Sequence, residues 1–239
     1  VVAVKLSAII PHYYPTRETN LPRIVQALLA GSVKPDEILI WCNSPLQSMR
    51  NVVQMLDEDR VLLIDSPRNV GAQARFLAAL MARGDYVFFQ DNDLCVRDGT
   101  LENLLRNAAP GSVVSLDGYF VPPIGYLHRK RVFGKSVNER VPVNVTLGRA
   151  ELVDRETLRT ALRDFPFDDA TIMDDLAFSA CCHRVKVELV VVPARPGVKD
   201  FKELPTCGVG ISLGPRAAKE QYMQLRDRTF KRLFREARA

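Results

Sequence analysis

Histidine and cysteine are scarce in this sequence, three and five in 239 residues, and their placement argues against the common zinc and redox designs. His12, His128 and His183 share no short spacing, and no histidine lies beyond residue 200. The cysteines are odd in number, Cys181 and Cys182 are adjacent, and no C-x-x-C occurs, so neither a zinc site nor a disulfide framework is expected. A reducing, cytoplasmic setting is the resulting expectation; the sequon Asn144-Val145-Thr146 gains weight only in a secreted protein. Long apolar runs are also missing. The stretch 185–192 is interrupted by charge and far too short to cross a bilayer. There is no internal repeat, no low-complexity segment, and no glycine-rich basic loop after the first predicted strand, where Pro11-His12-Tyr13-Tyr14-Pro15 stands instead. The chain opens on Val1 rather than Met, which is consistent with trimming.

What is present is an ordinary globular composition, 47% hydrophobic and 26% charged, of a length that one core supports. Strand and helix patterns alternate, predicting a mostly parallel sheet flanked by helices in a single α/β domain over residues 1–239. Strands are expected at 5–10, ending at Pro11, then at 37–41, 61–65 and 112–116, with another ending at Asp91. Helices are expected at 21–30, closed by Gly31, at 72–82, and near 100–107. In the second of these Phe76, Leu77, Leu80 and Met81 form the predicted buried stripe. Residues 118–145, rich in Pro, Gly and basic side chains, read as a long and mostly irregular loop of the kind that carries function.

Charge is unevenly placed. From Arg216 to Ala239 eight basic residues stand against three acidic ones, a balance equal to the whole formal net charge of +5. Tyr222, Leu225, Phe230, Leu233 and Phe234 give this segment an apolar stripe, so a helix with one docked and one cationic face is predicted.

The most informative stretch is 84–93, Gly-Asp-Tyr-Val-Phe-Phe-Gln-Asp-Asn-Asp. An apolar strand delivers Asp91 and Asp93 at its carboxyl end, where open α/β sheets bind ligands. Hard carboxylate oxygens suit Mg²⁺ or Mn²⁺, ions that sit on one or two carboxylates plus the phosphates of a substrate. A lone D-x-D is a weak signal, since acidic turns after strands are common.

The surroundings strengthen it. Ser7-Ala8-Ile9-Ile10-Pro11 with Tyr13, then Asn69-x-Gly71-x-x-x-Arg75, then residues 84–89 leading to Asp91-Asn92-Asp93, together resemble the amino-terminal half of family 2 glycosyltransferases. Leu147-Gly148-Arg149 to Arg155 and Asp174-Asp175-Leu176-Ala177-Phe178 resemble later family segments more loosely. The resemblance implies a GT-A fold, a nucleotide-sugar donor, Mn²⁺ or Mg²⁺, and transfer with inversion at the anomeric carbon. It divides the chain into a donor-binding half at 1–117, an acceptor-side half at 118–214 and a basic terminal helix at 215–239.

By the same resemblance Pro11 and Tyr13 border the nucleoside, and Asn69 and Arg75 serve the donor. Asn43 stands where the family commonly has an aspartate contacting uracil. Its amide oxygen can accept from a base N–H, so a UDP-sugar is the expected donor, with dTDP- and GDP-sugars as alternatives. Asp93 is the expected metal ligand, Asp91 contacts metal or ribose, and Asn92 belongs to the same donor site. Asp175 is the expected general base, with Asp174, Asp168 and Asp169 as rivals. Asp174, Arg129, Lys130 and Arg131 are placed on the acceptor side, and the positive charge of the last three, with that of the terminal helix, predicts an anionic acceptor: a glycan, a lipid-linked group or nucleic acid. A nucleotidyltransferase and a non-catalytic binding module for nucleotide-sugars or nucleic acid stay open as alternatives.

Overall fold

Strand β1 (Leu6–His12) lies inside an eight-stranded sheet between β2 (Glu37–Cys42) and β4 (Tyr86–Gln90), with helix α1 (Asn20–Ala30) crossing from β1 to β2. The computed structural model describes residues 4–12, 20–43, 59–167, 173–195, 200–205 and 216–236. The first half continues with β3 (Val61–Asp65), the short helix α2 (Ala74–Ala79), β5 (Leu94–Val96) and α3 (Thr100–Asn107). The second half holds β6 (Ser112–Ser115), β7 (Asp117–Phe120), β8 (Lys130–Phe133), β9 (Val141–Pro142), β10 (Val145–Thr146) and β11 (Ala150–Asp154). After these come α4 (Arg155–Leu162), α5 (Asp174–Arg184), β12 (Glu188–Val191), β13 (Phe201–Glu203) and α6 (Arg216–Glu236).

The large sheet runs β3-β2-β1-β4-β11-β6-β12-β9. Its first four strands are mutually parallel, and β11 inserts antiparallel between β4 and β6. Strand order reverses at β1, so the crevice beyond the carboxyl ends of β1 and β4 is the place such sheets offer a ligand. Alternation along the strands builds a core on each face. Ile9, Phe89, Val113 and Val153 pack toward α2, α4 and α5, whereas Ala8, Ile10, Phe88 and Leu152 pack toward α1 and α3.

Several expectations need correction. Residues 118–145 are not mostly loop: β7, β8 and β10 form a second, three-stranded antiparallel sheet, and β9 caps the large one. Their strands are two to four residues long, too short for periodicity to reveal. In the same segment the sequon is built in, since Asn144 Oδ1 accepts from Val121 N at 2.7 Å and Thr146 is buried. Helix α2 is shorter than 72–82 and turned otherwise than expected. Leu80 and Met81 are about half exposed, and the buried face is Ala74, Arg75, Phe76, Ala78 and Ala79. The alanines allow close approach to the sheet, and Phe76 sits among Phe89, Phe165 and Phe178 with ring centroids at 4.8 to 5.4 Å.

The first strand runs through Pro11 rather than ending there. Pro11 pairs with Trp41 of β2, but the β4 ladder stops at Ile9, so the missing proline N–H breaks no bond on that side. Helix α6 docks through Phe230, Leu233 and Phe234, with Leu225 more exposed than its stripe position predicts. No described helix is long and apolar enough to cross a membrane.

Candidate active site

The acidic turn after β4 is fixed by its own backbone. Gln90 Nε2 donates to Leu94 O at 2.7 Å, Asn20 Nδ2 donates to Asn92 O at 3.0 Å, and Leu204 N donates to Asp93 O at 2.7 Å. The buried Asn92 amide meets His12 Nδ1, at the end of β1, at 3.2 Å. With these groups satisfied, the carboxylates of Asp91 and Asp93 are the turn's chemically active part.

Asn43 and Asn69 shape the neighbouring loop. Asn43 Oδ1 accepts from Val70 N at 3.1 Å and its Nδ2 donates to Gly71 O at 3.0 Å. Asn69 Oδ1 accepts from Gly71 N at 2.8 Å, an Asx turn that leads into Gly71 at φ +76°. Both asparagines therefore brace the backbone of 69–71, whatever further contacts they make. Tyr13, Asp168 and Asp169 lie outside the described residues.

Arg75 is the centre of the cluster. Buried on α2, it donates from Nη2 to Asp91 Oδ1 at 2.7 Å, from Nη1 to Gly148 O at 2.6 Å, and pairs through Nε with Asp174 Oδ2 at 2.9 Å. One guanidinium thus joins the acidic turn to the start of α5. A Cβ at Gly148 would collide with it, which explains the glycine there. Burial opposes the Arg75 charge, yet Asp174 and Asp91 hold its pKa above the usual arginine range.

Under this layer lies Glu151, buried on β11 opposite Phe89. Burial pushes its carboxyl up to about 7, with Thr146 and Arg75 pulling it down and Asp174 and Asp175 adding to the rise. Burial likewise raises Asp174 to about 6, against the pull of Arg75. Burial thus makes both Glu151 and Asp174 easier to protonate, which lessens the cost of burying like charges together.

The second guanidinium is Arg226 of α6. Its Nη2 reaches Asp175 Oδ2 at 2.5 Å, and Asp175 Oδ1 accepts from Leu176 N at 2.9 Å. Asp117 of β7, also buried, is held by Arg131 through Nε at 3.0 Å and by Arg149 at 3.7 Å. Arg149 also donates to Glu203 Oε1 at 2.9 Å and feels the charges of Asp91 and Asp93. Of the basic acceptor-side candidates, Arg131 is tied to Asp117 and Arg129 lies over Tyr126 at 4.4 Å, which leaves Lys130 exposed.

Sequence reasoning missed Glu151, Asp117 and Arg226. An acid flanked by apolar residues in the strand Ala-Glu-Leu-Val-Asp was a usable signal for Glu151, because unpaired carboxylates avoid cores. Nothing marked Arg226 among the eight basic residues of its segment.

Among the described residues no group of three metal-ligating side chains gathers. Asp91 and Asp93 nevertheless make a hard-oxygen pair, suited to a Mn²⁺ or Mg²⁺ ion whose remaining ligands come from phosphate and water.

Solved structures share this architecture. GalNAc-T7 with UDP, GalNAc and Mn²⁺ has a TM-score of 0.67 at 13% identity, covering 93% of this chain and 48% of that one. S. aureus TarS residues 1–349 has a TM-score of 0.57 at 17% identity, covering 80% and 58%. A second TarS structure has a TM-score of 0.58 at 16% identity, covering 85% and 37%. The chain thus spans between 37% and 58% of the length of these three structures. The fold is that of GT-A glycosyltransferases. A sequence model of glycosyl transferase family 2 matches residues 7–154, more than half the chain, and the chain belongs to that family. No curated protein matches it in sequence.

Proposed function

We propose that the protein transfers a sugar, with inversion, from a nucleoside diphosphate sugar to an acceptor hydroxyl, using a divalent cation. The observation that carries this reading is the Arg75 bridge, which places the acidic turn after β4 and the Asp174-Asp175 start of α5 in one cluster. Donor and acceptor chemistry then share one crevice. Support for the donor class comes from the GalNAc-T7 structure, which contains UDP, GalNAc and Mn²⁺.

In this mechanism Asp93 and Asp91 would hold a Mn²⁺ or Mg²⁺ ion, which when bound would supply positive charge against the leaving nucleoside diphosphate. Arg75 fixes Asp91 and Asp174, so neither carboxylate swings away when the donor arrives. Pro11, Tyr13, Asn43, Asn69 and Asn92 border the nucleotide. Asp175 takes the proton from the acceptor hydroxyl, whose oxygen forms the new bond to the anomeric carbon as the bond to the diphosphate breaks. Attack opposite the leaving group inverts the anomeric configuration. UDP is the expected nucleotide, and the acceptor is expected to be anionic.

A panel of nucleotide-sugars in Mn²⁺, scored for thermal stabilisation and for nucleoside diphosphate release, tests the reading. Asp175→Asn is expected to lower release by about 100-fold or more while stabilisation by the donor persists. Near-normal release would move the base to Asp174, Asp168 or Asp169. No stabilisation by any donor would refute the donor class.

A further inference from the structure

The terminal helix α6 contributes more than surface charge. Six of its residues from Lys219 to Arg235 are basic, and Arg226 alone among them is buried, at 7% exposure. It turns inward across 51 residues of chain to the carboxylate of Asp175. Its other contacts are aromatic and neutral: Nη1 donates to Tyr222 Oη at 3.0 Å, and the guanidinium lies over Tyr126 at 4.7 Å and near the Tyr222 ring at 5.7 Å. Burial opposes this charge, and Asp175 and the two tyrosines hold its pKa above the arginine range. The segment carrying Tyr126 is clamped to the same helix, because Asp227 Oδ1 accepts from Leu127 N at 3.2 Å. Gly125, at φ +132°, packs where a Cβ would strike Asp227 and Lys231.

We infer that Arg226 is a positioning residue for Asp175, so that α6 completes the apparatus for deprotonating the acceptor. This inference rests on Asp175 being the base. A carboxylate at a helix start can turn about its side-chain torsions, and a base is effective only when one lone pair faces the hydroxyl. In Asp175 the backbone N–H of Leu176 holds Oδ1 and Arg226 holds Oδ2, which sets the plane of the carboxylate and leaves one further lone pair on each oxygen for an acceptor proton. The aromatic walls from Tyr126 and Tyr222 keep the guanidinium from swinging to solvent. The usual place for a helix cation, a solvated face, cannot account for a buried arginine whose one direct carboxylate partner in the described residues is Asp175.

The test is a double-substitution cycle read on nucleoside diphosphate release in Mn²⁺, with wild type, Arg226→Gln, Asp175→Asn and the pair. Arg226→Gln is expected to lower kcat by about 10-fold or more with donor KM within about 2-fold. In the Asp175→Asn background the same change should add less than about 2-fold, because the group it positions is already gone. Arg226→Lys, which keeps charge but not the fork, should fall between wild type and Arg226→Gln. It also serves if the glutamine variant does not fold, with the cycle then run on lysine. Equal losses in both backgrounds, or a loss carried by donor KM, would overturn the positioning role. A wild-type chain that releases nothing from any donor would sink the transferase reading and the positioning role together, whereas turnover without interaction between the substitutions sinks the positioning role alone.

Discussion

Arg75→Met deletes the charge at the centre of the cluster while keeping an unbranched side chain in its place. The Asp174 side chain is 12% exposed and would lose its cation; Asp91, at 27%, keeps more access to water, so its share is discounted. Removing one member of a buried ion pair costs about 3–5 kcal/mol, because the remaining charge is uncompensated. That range, set by Asp174, is the expected loss at pH 8. At pH 5 the loss should be smaller, because burial raises Asp174 to about 6 and Glu151 to about 7, so both carry protons and the deletion orphans less charge. Urea unfolding at the two pH values is the assay. With a slope of about 2–3 kcal/mol/M, the pH 8 midpoint should fall by about 1–2.5 M. A loss below about 1 kcal/mol at pH 8, or the same loss at both pH values, would refute the claim that Arg75 is what allows these acids to be buried together.

Glu151→Gln tests the floor of the site. A folded pKa raised from 4.5 to about 7 means the folded chain binds the proton more tightly than the unfolded chain, so stability falls as pH rises from about 4.5 through 7. At ~1.4 kcal/mol per pH unit the penalty is on the order of 3 kcal/mol above pH 7. The glutamine variant should match wild type near pH 4 and gain in relative melting temperature up to pH 8; a pH-independent difference would contradict the assignment. Lys130→Ala should reduce acceptor binding by a factor that shrinks as salt is raised, if the acceptor is anionic. A flat salt series would leave Lys130 as ordinary solvated surface.

Much of the first half was legible because its signals are local. The apolar strands β1 to β4, the amphipathic α1 with Leu21, Ile24, Val25 and Leu28 buried, and the acidic turn all declare themselves within ten residues or fewer. Helix α2 was misread because Leu80 and Met81 have the right spacing for a buried stripe, yet the sheet accepts alanines there and seats Arg75 in its place. Propensity cannot foresee an arginine preferred to two hydrophobic residues; the pairing with Asp91 and Asp174 decides it, and those partners lie 16 and 99 residues away in the sequence. The same holds for Arg131, which looked like free acceptor-side charge beside Lys130 but is held by the buried Asp117. The strands within 118–145 were lost to brevity, since two to four residues carry no readable period.

The central claim is that Asp91 and Asp93 bind a nucleoside diphosphate sugar through a divalent cation. Calorimetric titration of UDP-sugars into the wild-type chain, in Mn²⁺ and in EDTA, and into Asp93→Ala in Mn²⁺, tests it most directly. The account predicts measurable affinity for wild type in Mn²⁺, at least about 10-fold weaker binding in EDTA (a difference of about 1.4 kcal/mol or more), and a similar loss for Asp93→Ala. Equal affinity in all three titrations would contradict it.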